Sequence, residues 1–375
     1  MADRQVGTVK GFGVRTRAHG QIILKLVLLA ALLYLFILSI TLLGSAFKLF
    51  GKDFAETIFQ ATSSPIVGLM IGILATAVIQ SSSTTTTMIV QMVAAGLLPF
   101  ESSIAMVMGA NIGTSVTNTI VSLGHIARGD EFKRAFAGAM CHDFFNVCSV
   151  IVLLPLQMKF NIIGRSALFL EEIFAGFGGL TFSSPLKTIT KPLANQIVIL
   201  AGESGWITAA ISFLMLIIAL RYMVKVLKSL VLARVEKFFQ RYIFRTPLLG
   251  LLLGMFLTAL VQSSSITTSL VVPLIGAGVI TLSQVYPYLL GANVGTTITA
   301  FLASFVTGSH EAVTVAFGHL IFNVFGIAVF WPLKRIPIWM AEGLSAITLR
   351  SRLYPILYIL FAFFIIPGVI IYLYK

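Results

Sequence analysis

Gln80-Ser81-Ser82-Ser83-Thr84-Thr85-Thr86-Thr87 interrupts an apolar region at 65–98, and Gln262-Ser263-Ser264-Ser265-Ile266-Thr267-Thr268-Ser269 interrupts another at 247–280. The arm on either side of each polar run has about 15 residues, roughly 22 Å of helix, against a hydrocarbon core of roughly 30 Å. A re-entrant helical hairpin fits that length better than a full crossing. Its tip must be buried in protein or line a wet cavity, because lipid cannot satisfy irregular backbone.

The two interruptions belong to an internal repeat. An offset of 182 places Pro65 on Pro247, Gly68 on Gly250, Gly72 on Gly254, Gln80-Ser81-Ser82-Ser83 on Gln262-Ser263-Ser264-Ser265, and Gly96 on Gly278. The same offset carries Gly109-Ala110-Asn111-Ile112-Gly113-Thr114 onto Gly291-Ala292-Asn293-Val294-Gly295-Thr296. After five residues are lost from a loop, an offset of 177 matches His142 with His319, Asn146 with Asn323 and Pro155 with Pro332. So many paired polar and glycine positions mean duplication.

Composition agrees with a membrane chain. Hydrophobic residues make up 58% and charged residues 10%, with a mean hydropathy of +0.99. A soluble domain is roughly 25% charged, so this chain cannot furnish a soluble surface. The net charge of +13 sits in short loops between apolar runs rather than on one globular face, which argues against nucleic acid. Cys141 and Cys148 lie two helical turns apart, about 10 Å, too far for a disulfide, and read as small buried apolar residues.

Full-length apolar spans are expected at 22–46, 102–123, 135–157, 205–227, 283–306, 313–333 and 353–374. Three spans separate the two repeat starts, and an odd number inverts the second repeat. Lys and Arg crowd residues 1–25, 128–134, 221–245 and 334–352, which hold 19 of the 26 and are expected in the cytoplasm. The chain then divides into a cytoplasmic segment (1–21), a scaffold helix and connection (22–64), repeat 1 (65–157), an extracytoplasmic interfacial segment (158–204), a scaffold helix with a basic loop (205–246), repeat 2 (247–333), and a cytoplasmic loop with a last span (334–375). The N-terminus is expected inside the cell membrane and the C-terminus outside. The expected fold is an all-α polytopic membrane protein of two inverted-topology repeats, each with a re-entrant hairpin and a broken transmembrane helix.

Three motif pairs carry chemistry. At the hydroxyl-rich tips, a second arm would begin with free N–H groups and a partial positive charge, which suits an oxyanion. Hydroxyl and carbonyl oxygens there are equally suited to Na+. The plain alternative is helix packing through small residues. The Gly-Ala-Asn-Ile/Val-Gly-Thr pair predicts a locally unwound helix whose carbonyls, with Asn111, Thr114, Asn293 and Thr296, could ligate a cation; close glycine packing is the alternative. His142 with Asn146, and His319 with Asn323, share a helical face, the histidines reading as structural hydrogen-bonders. Asp143 is the carboxylate deep in an apolar run, and such groups are functional candidates, unless its place near a span's start makes it interfacial. With no group of basic residues inside the spans, an anion would rest on helix ends, hydroxyls and co-bound cations rather than on Arg.

The ordered set of duplicated Gln-Ser-Ser-Ser, Gly-Ala-Asn-Ile-Gly-Thr, Phe132-Lys133-Arg134-Ala135-Phe136-Ala137-Gly138 and His142-Asp143-Phe144-Phe145-Asn146 resembles the type II sodium-dependent phosphate cotransporters, over about 30–370. The resemblance implies Na+-driven import of inorganic phosphate, no enzymatic activity, and no cofactor beyond co-transported Na+. It implies phosphate at Gln80, Ser81, Ser82, Ser83, Thr84, Gln262, Ser263, Ser264 and Ser265. Na+ is expected at Thr85, Thr86, Thr267 and Thr268, and at Asn111, Thr114, Asp143, Asn146, Asn293, Thr296 and Asn323. Asp at position 143 implies an electrogenic cycle with an additional Na+. The compact form, without the large outer loop and further C-terminal span of animal members, implies a bacterial homologue. Carriage of another anion, an anion channel, and an intramembrane serine hydrolase are the rival readings; symmetric duplication of Ser and His disfavours the last.

Overall fold

A computed structural model describes residues 6–62, 64–127, 129–176, 185–242, 246–348, 350–351 and 353–374. Arg4, Arg128, Arg245 and Arg352 of the basic segments, and 177–184 of the expected outer segment, lie outside the described residues. The described elements are all helical. They are α1 (Val6–Leu49), α2 (Gly51–Ala61), α3 (Pro65–Ile79), α4 (Ser82–Ala94), α5 (Phe100–Gly113), α6 (Ser115–Leu123), α7 (Gly129–Phe160), α8 (Ile162–Gly176) and α9 (Pro185–Leu200). There follow α10 (Gly205–Tyr242), α11 (Pro247–Val261), α12 (Ser264–Ser269), α13 (Val272–Gly276), α14 (Leu282–Thr307), α15 (His310–Phe330) and α16 (Arg335–Thr348). A π turn over Phe361–Ile365 joins α17 (Tyr354–Leu360) to α18 (Ile366–Leu373).

Seven stretches among them are long and apolar enough to cross a membrane: Gln21–Leu49, Phe100–Leu123, Gly129–Phe160, Gly205–Leu227, Leu282–Thr307, His310–Phe330 and Tyr354–Leu373. They coincide with the seven spans expected from hydropathy. Large apolar side chains such as Leu24 (67% exposed) and Phe256 (61%) point outward, an arrangement that lipid tolerates and water does not.

Pro at the first turn starts both α3 and α11, where its missing N–H costs nothing. Each helix runs 15 residues and stops at a glutamine with left-handed backbone, Gln80 at φ 59° and Gln262 at φ 58°. Non-glycine residues rarely adopt that conformation. In both tips the glutamine Nε2 donates back to a carbonyl three residues earlier, Ala77 or Ala259, and so covers an open end of the first arm. The next serine caps the second arm: Ser81 Oγ accepts from the Thr84 N–H at 3.2 Å, and Ser263 Oγ from the Ile266 N–H at 3.4 Å.

The glycine motifs overturn one expectation. α14 continues unbroken through 291–296, and α5 meets α6 at Thr114 with helical φ −58° and ψ −31°. No unwound segment forms. The glycines serve contact instead, because a Cβ on Gly109 would lie 2.0 Å from the Leu69 carbonyl oxygen, and one on Gly291 only 1.9 Å from that of Leu251. Facing them, a Cβ on Gly72 or Gly254 would meet Met106 O or Tyr288 O at 2.0 or 2.1 Å. α3 thus lies backbone to backbone on α5, and α11 on α14, as small residues four apart permit in membranes.

α1 and α10 pack together. Leu32, Phe36, Ile37 and Ile40 share a core with Leu216, Ala219, Leu220 and Met223, and with Ile89, Val90, Ala300 and Ala303. α9 packs against α1 beyond its midpoint through Ala194 on Leu38 and Leu42, with Thr190 and Thr41 hydroxyls 3.0 Å apart. Neither α8 nor α9 is a full span, at 15 and 16 residues. Cys141 and Cys148 are both buried and unbridged.

Candidate functional site: a cavity between two helix breaks

The two breaks meet. Ser83 Oγ donates to the Gln262 carbonyl oxygen at 3.1 Å. Beside that contact lies a cavity of about 390 Å³, lined by Gln80, Ser81, Ser83 and Thr84 from one tip and Gln262, Ser263, Ser265 and Ile266 from the other. Thr117 adds a hydroxyl, and Ile217, Leu220, Arg221 and Val224 of α10 form the remaining wall. Ser82 and Ser264 are buried and do not line it. The N–H groups at the start of α4 and α12 precede the first intrahelical bonds, Thr85 N to Ser81 O and Thr267 N to Ser263 O. Each break therefore brings hydroxyls, unpaired N–H groups and a helix's positive end to one space.

Arg221 revises the sequence reading. An anion site without Arg was expected, yet Arg221, inside the expected span 205–227 and at the start of the basic stretch, lies on the helix α10 and lines the cavity. An arginine reaching into an otherwise apolar span does so by its long flexible stem. The cavity wall thus carries a positive charge that the sequence reading did not assign to the site.

The glutamines are held from both sides. Gln80 Oε1 accepts from Thr117 Oγ1 at 3.1 Å, and Gln262 Oε1 from Thr299 Oγ1 at 2.8 Å. Thr117 and Thr299 are also 182 apart, so the repeat offset alone could have flagged them.

One turn beyond the tips the halves differ. Thr268 Oγ1 and Ser269 Oγ both donate to Asn118 Oδ1, at 2.9 and 3.0 Å, and Thr258 and Thr267 hydroxyls pair at 2.6 Å. Their counterparts Thr86, Thr87 and Thr76 have buried hydroxyls with no hydrogen-bond partner. Thr85 Oγ1 returns to the Ser81 carbonyl at 3.1 Å. Thr114 and Thr296 likewise bond back into their own helices, to Ala110 O at 2.9 Å and Ala292 O at 3.0 Å.

The His-Asn pairs form crossed clusters between the repeats. His142 Nε2 donates to Asn293 Oδ1 at 2.7 Å, and Asn293 Nδ2 to Asn146 Oδ1 at 2.7 Å. The mirror set joins His319 Nε2 to Asn111 Oδ1 at 3.1 Å and Asn111 Nδ2 to Asn323 Oδ1 at 3.2 Å. Each motif of one half thus closes on the other half's glycine-rich span. The histidines act as hydrogen-bonders, and all four asparagines are engaged away from the tip cavity.

Asp143 is buried inside the protein. Its helix begins at Gly129, six residues before the expected start, which leaves the carboxylate mid-span and 0% exposed. Tyr358 donates to its Oδ2, while Oδ1 has no hydrogen-bond partner. Position 320, its counterpart in repeat 2, is a leucine.

An all-α multi-pass membrane protein with duplicated helix breaks around one polar, cation-walled cavity is a transporter by architecture. A family model described as Na+/Pi-cotransporter matches residues 35–183 and 215–336, one block in each half. The chain belongs to the Na+/Pi-cotransporter family, and its function is transport rather than catalysis. Among curated relatives, "Sodium-dependent phosphate transport protein 2A" of Ovis aries is 34% identical over 438 residues, covering 95% of this chain and 68% of the relative. The protein of the same name from Rattus norvegicus is 35% identical, covering 94% and 68%. "Sodium-dependent phosphate transport protein 2B" of Homo sapiens is 33% identical, covering 92% and 64%. No solved structure matches the chain.

Proposed function

We propose that this chain carries inorganic phosphate across a cell membrane together with Na+, and that phosphate binds in the cavity between the two breaks. The observation that supports the site is the convergence of both Gln-Ser-Ser-Ser tips and Arg221 on one space of about 390 Å³. Hydroxyls and start-of-helix N–H groups donate to phosphate oxygens, and Arg221 offsets part of the charge. Ser82 and Ser264 do not line the cavity and stand outside this phosphate site. Na+ supplies the remaining positive charge. Thr86 and Asp143, each with a buried oxygen lacking a donor, are the best-supported ligands among the sodium candidates.

Access alternates by movement of the hairpin-bearing repeats against α1 and α10. The cavity lies at that boundary, with its far wall on the scaffold. α3–α4 and α11–α13 are re-entrant and enter from opposite faces, since three spans separate the repeats; α8 and α9 come as a pair, which leaves the parity intact whether or not they cross. The positive-inside pattern places the N-terminus in the cytoplasm and the C-terminus outside. Asp143 makes the cycle electrogenic by holding an additional Na+.

Uptake of labelled phosphate into proteoliposomes tests the reading. Uptake should require an inward Na+ gradient, and Arg221→Gln should raise the phosphate concentration for half-maximal rate at least tenfold, about 1.4 kcal/mol. Equal uptake with K+ replacing Na+ would remove the coupling. An unchanged phosphate dependence in Arg221→Gln would move the site away from this cavity.

A further inference from the structure

A second polar cavity, of about 220 Å³, lies against the last turns of α1, between α4, α9 and the end of α14. Gly205 at the start of α10 packs on Phe50 and Ala46 of α1, which fixes this end of the α1–α10 pair. Arg221 lies 16 residues from Gly205, about 24 Å further along α10, and the two cavities share no lining residue. On α4, Gln91 lies eight residues past Ser83, about 12 Å. Ile89 and Val90 lie in that interval and pack in the core with Ala300 and Ala303, so apolar residues separate the two spaces.

Its wall includes Lys48, Ser45 and Thr41 of α1, Lys191 and Asn195 of α9, and Gln91 of α4. No carboxylate lines it, and neither lysine makes an ion pair among the described residues. Gln91 is 3% exposed, yet its Nε2 reaches the Ala303 carbonyl only at 3.4 Å, a long bond for a buried amide. The duplication does not require this arrangement, because the position matching Gln91 is Pro273, and Lys48 and Lys191 fall outside the matched blocks. Two ammonium groups over hydroxyls and amides, with room for a tetrahedral anion, define an oxyanion site. Lysines act there as hydrated point charges, suited to capture and release rather than rigid bidentate clamping.

We propose that this cavity binds a phosphate group at the end of the molecule remote from Arg221. The group is either free orthophosphate, drawn in by the lysines before transport, or the phosphate of an anionic lipid headgroup. The proposal does not depend on the transport reading, because its test measures occupancy and not flux.

Asn195→Cys places a thiol on the exposed rim while both native cysteines stay buried. Its labelling by an anionic and a cationic methanethiosulfonate is compared, each normalised to a free thiol. The anionic reagent should react about tenfold faster, the lower end of electrostatic focusing. Added Lys48→Gln and Lys191→Gln should abolish that preference, and Lys48→Arg with Lys191→Arg should restore it. In phosphatidylcholine nanodiscs without Na+, slowing by inorganic phosphate but not by chloride at equal ionic strength identifies the free anion, and Arg221→Gln should leave that protection intact. Slowing by phosphatidylglycerol in phosphate-free buffer identifies the headgroup. Equal rates for the two reagents, or no protection by either phosphate source, would overturn the site.

Discussion

The two helix breaks share a skeleton and differ in what they leave unsatisfied. Both stop their first arm at a left-handed glutamine, cap the second with a serine and anchor the glutamine through a threonine 37 residues on. Behind the second tip, Asn118 absorbs the hydroxyls of Thr268 and Ser269, while Thr258 pairs with Thr267. Behind the first tip, Thr76, Thr86 and Thr87 are left without partners, and Asp143 has one bare oxygen. A buried, unsatisfied oxygen costs roughly 1–3 kcal/mol, so its retention points to an occupant such as a cation. Duplication built the shared frame; the unmatched polar residues divide the labour between the halves.

The largest expected effect tests the shared skeleton. Gly109→Leu and Gly291→Leu each force side-chain atoms into a carbonyl at about 2 Å, and each should cost 3 kcal/mol or more, read as loss of monodisperse protein and of thermal stability. One half tolerating the change would break the equivalence. Next, Gln262→Ala removes a helix-end bond and strands the buried Thr299 hydroxyl, for about 1–3 kcal/mol, whereas Gln80→Ala acts at an exposed bond to Thr117 and should cost about 1 kcal/mol; both should lower phosphate affinity. Asp143→Gly tests the unshared part: transport should persist with less charge moved per phosphate, and unaltered current per phosphate would end that assignment. Asn118→Ala should cost about 1 kcal/mol in thermal unfolding by stranding the Ser269 hydroxyl, while Thr268 keeps the Ser264 carbonyl at 2.7 Å. Thr86→Val ends the series: it loses no bond and, without Na+, should gain about 1 kcal/mol by removing a buried hydroxyl that has no partner, yet it should raise the Na+ concentration for half-maximal uptake. Thr268→Val should do the reverse, costing about 1 kcal/mol without altering the Na+ dependence.

Much of this was legible in the chain alone because two signals are local. Apolar runs long enough for a bilayer mark the spans wherever they pack, and equal offsets mark Gln80 with Gln262, Asn111 with Asn293 and His142 with His319 as equivalent. What the equivalent residues touch is not local. Glycines around Asn111 and Asn293 are compatible with an unwound helix or with close packing, and only the neighbouring backbones at Leu69 and Leu251 decide for packing. The asparagines and histidines were visible as pairs, but their crossing from one half to the other depends on how the repeats dock. Tyr358 reaches Asp143 across 215 residues, and no spacing rule spans that separation.

The paired Gln-Ser-Ser-Ser breaks were therefore determined by sequence, since a polar run within short apolar arms cannot remain in lipid unaided. Their closure into one cavity, and the placement of Arg221 on its wall, were decided by tertiary structure. A side chain's charge is written in the chain, but the space it faces depends on which helices pack beside it.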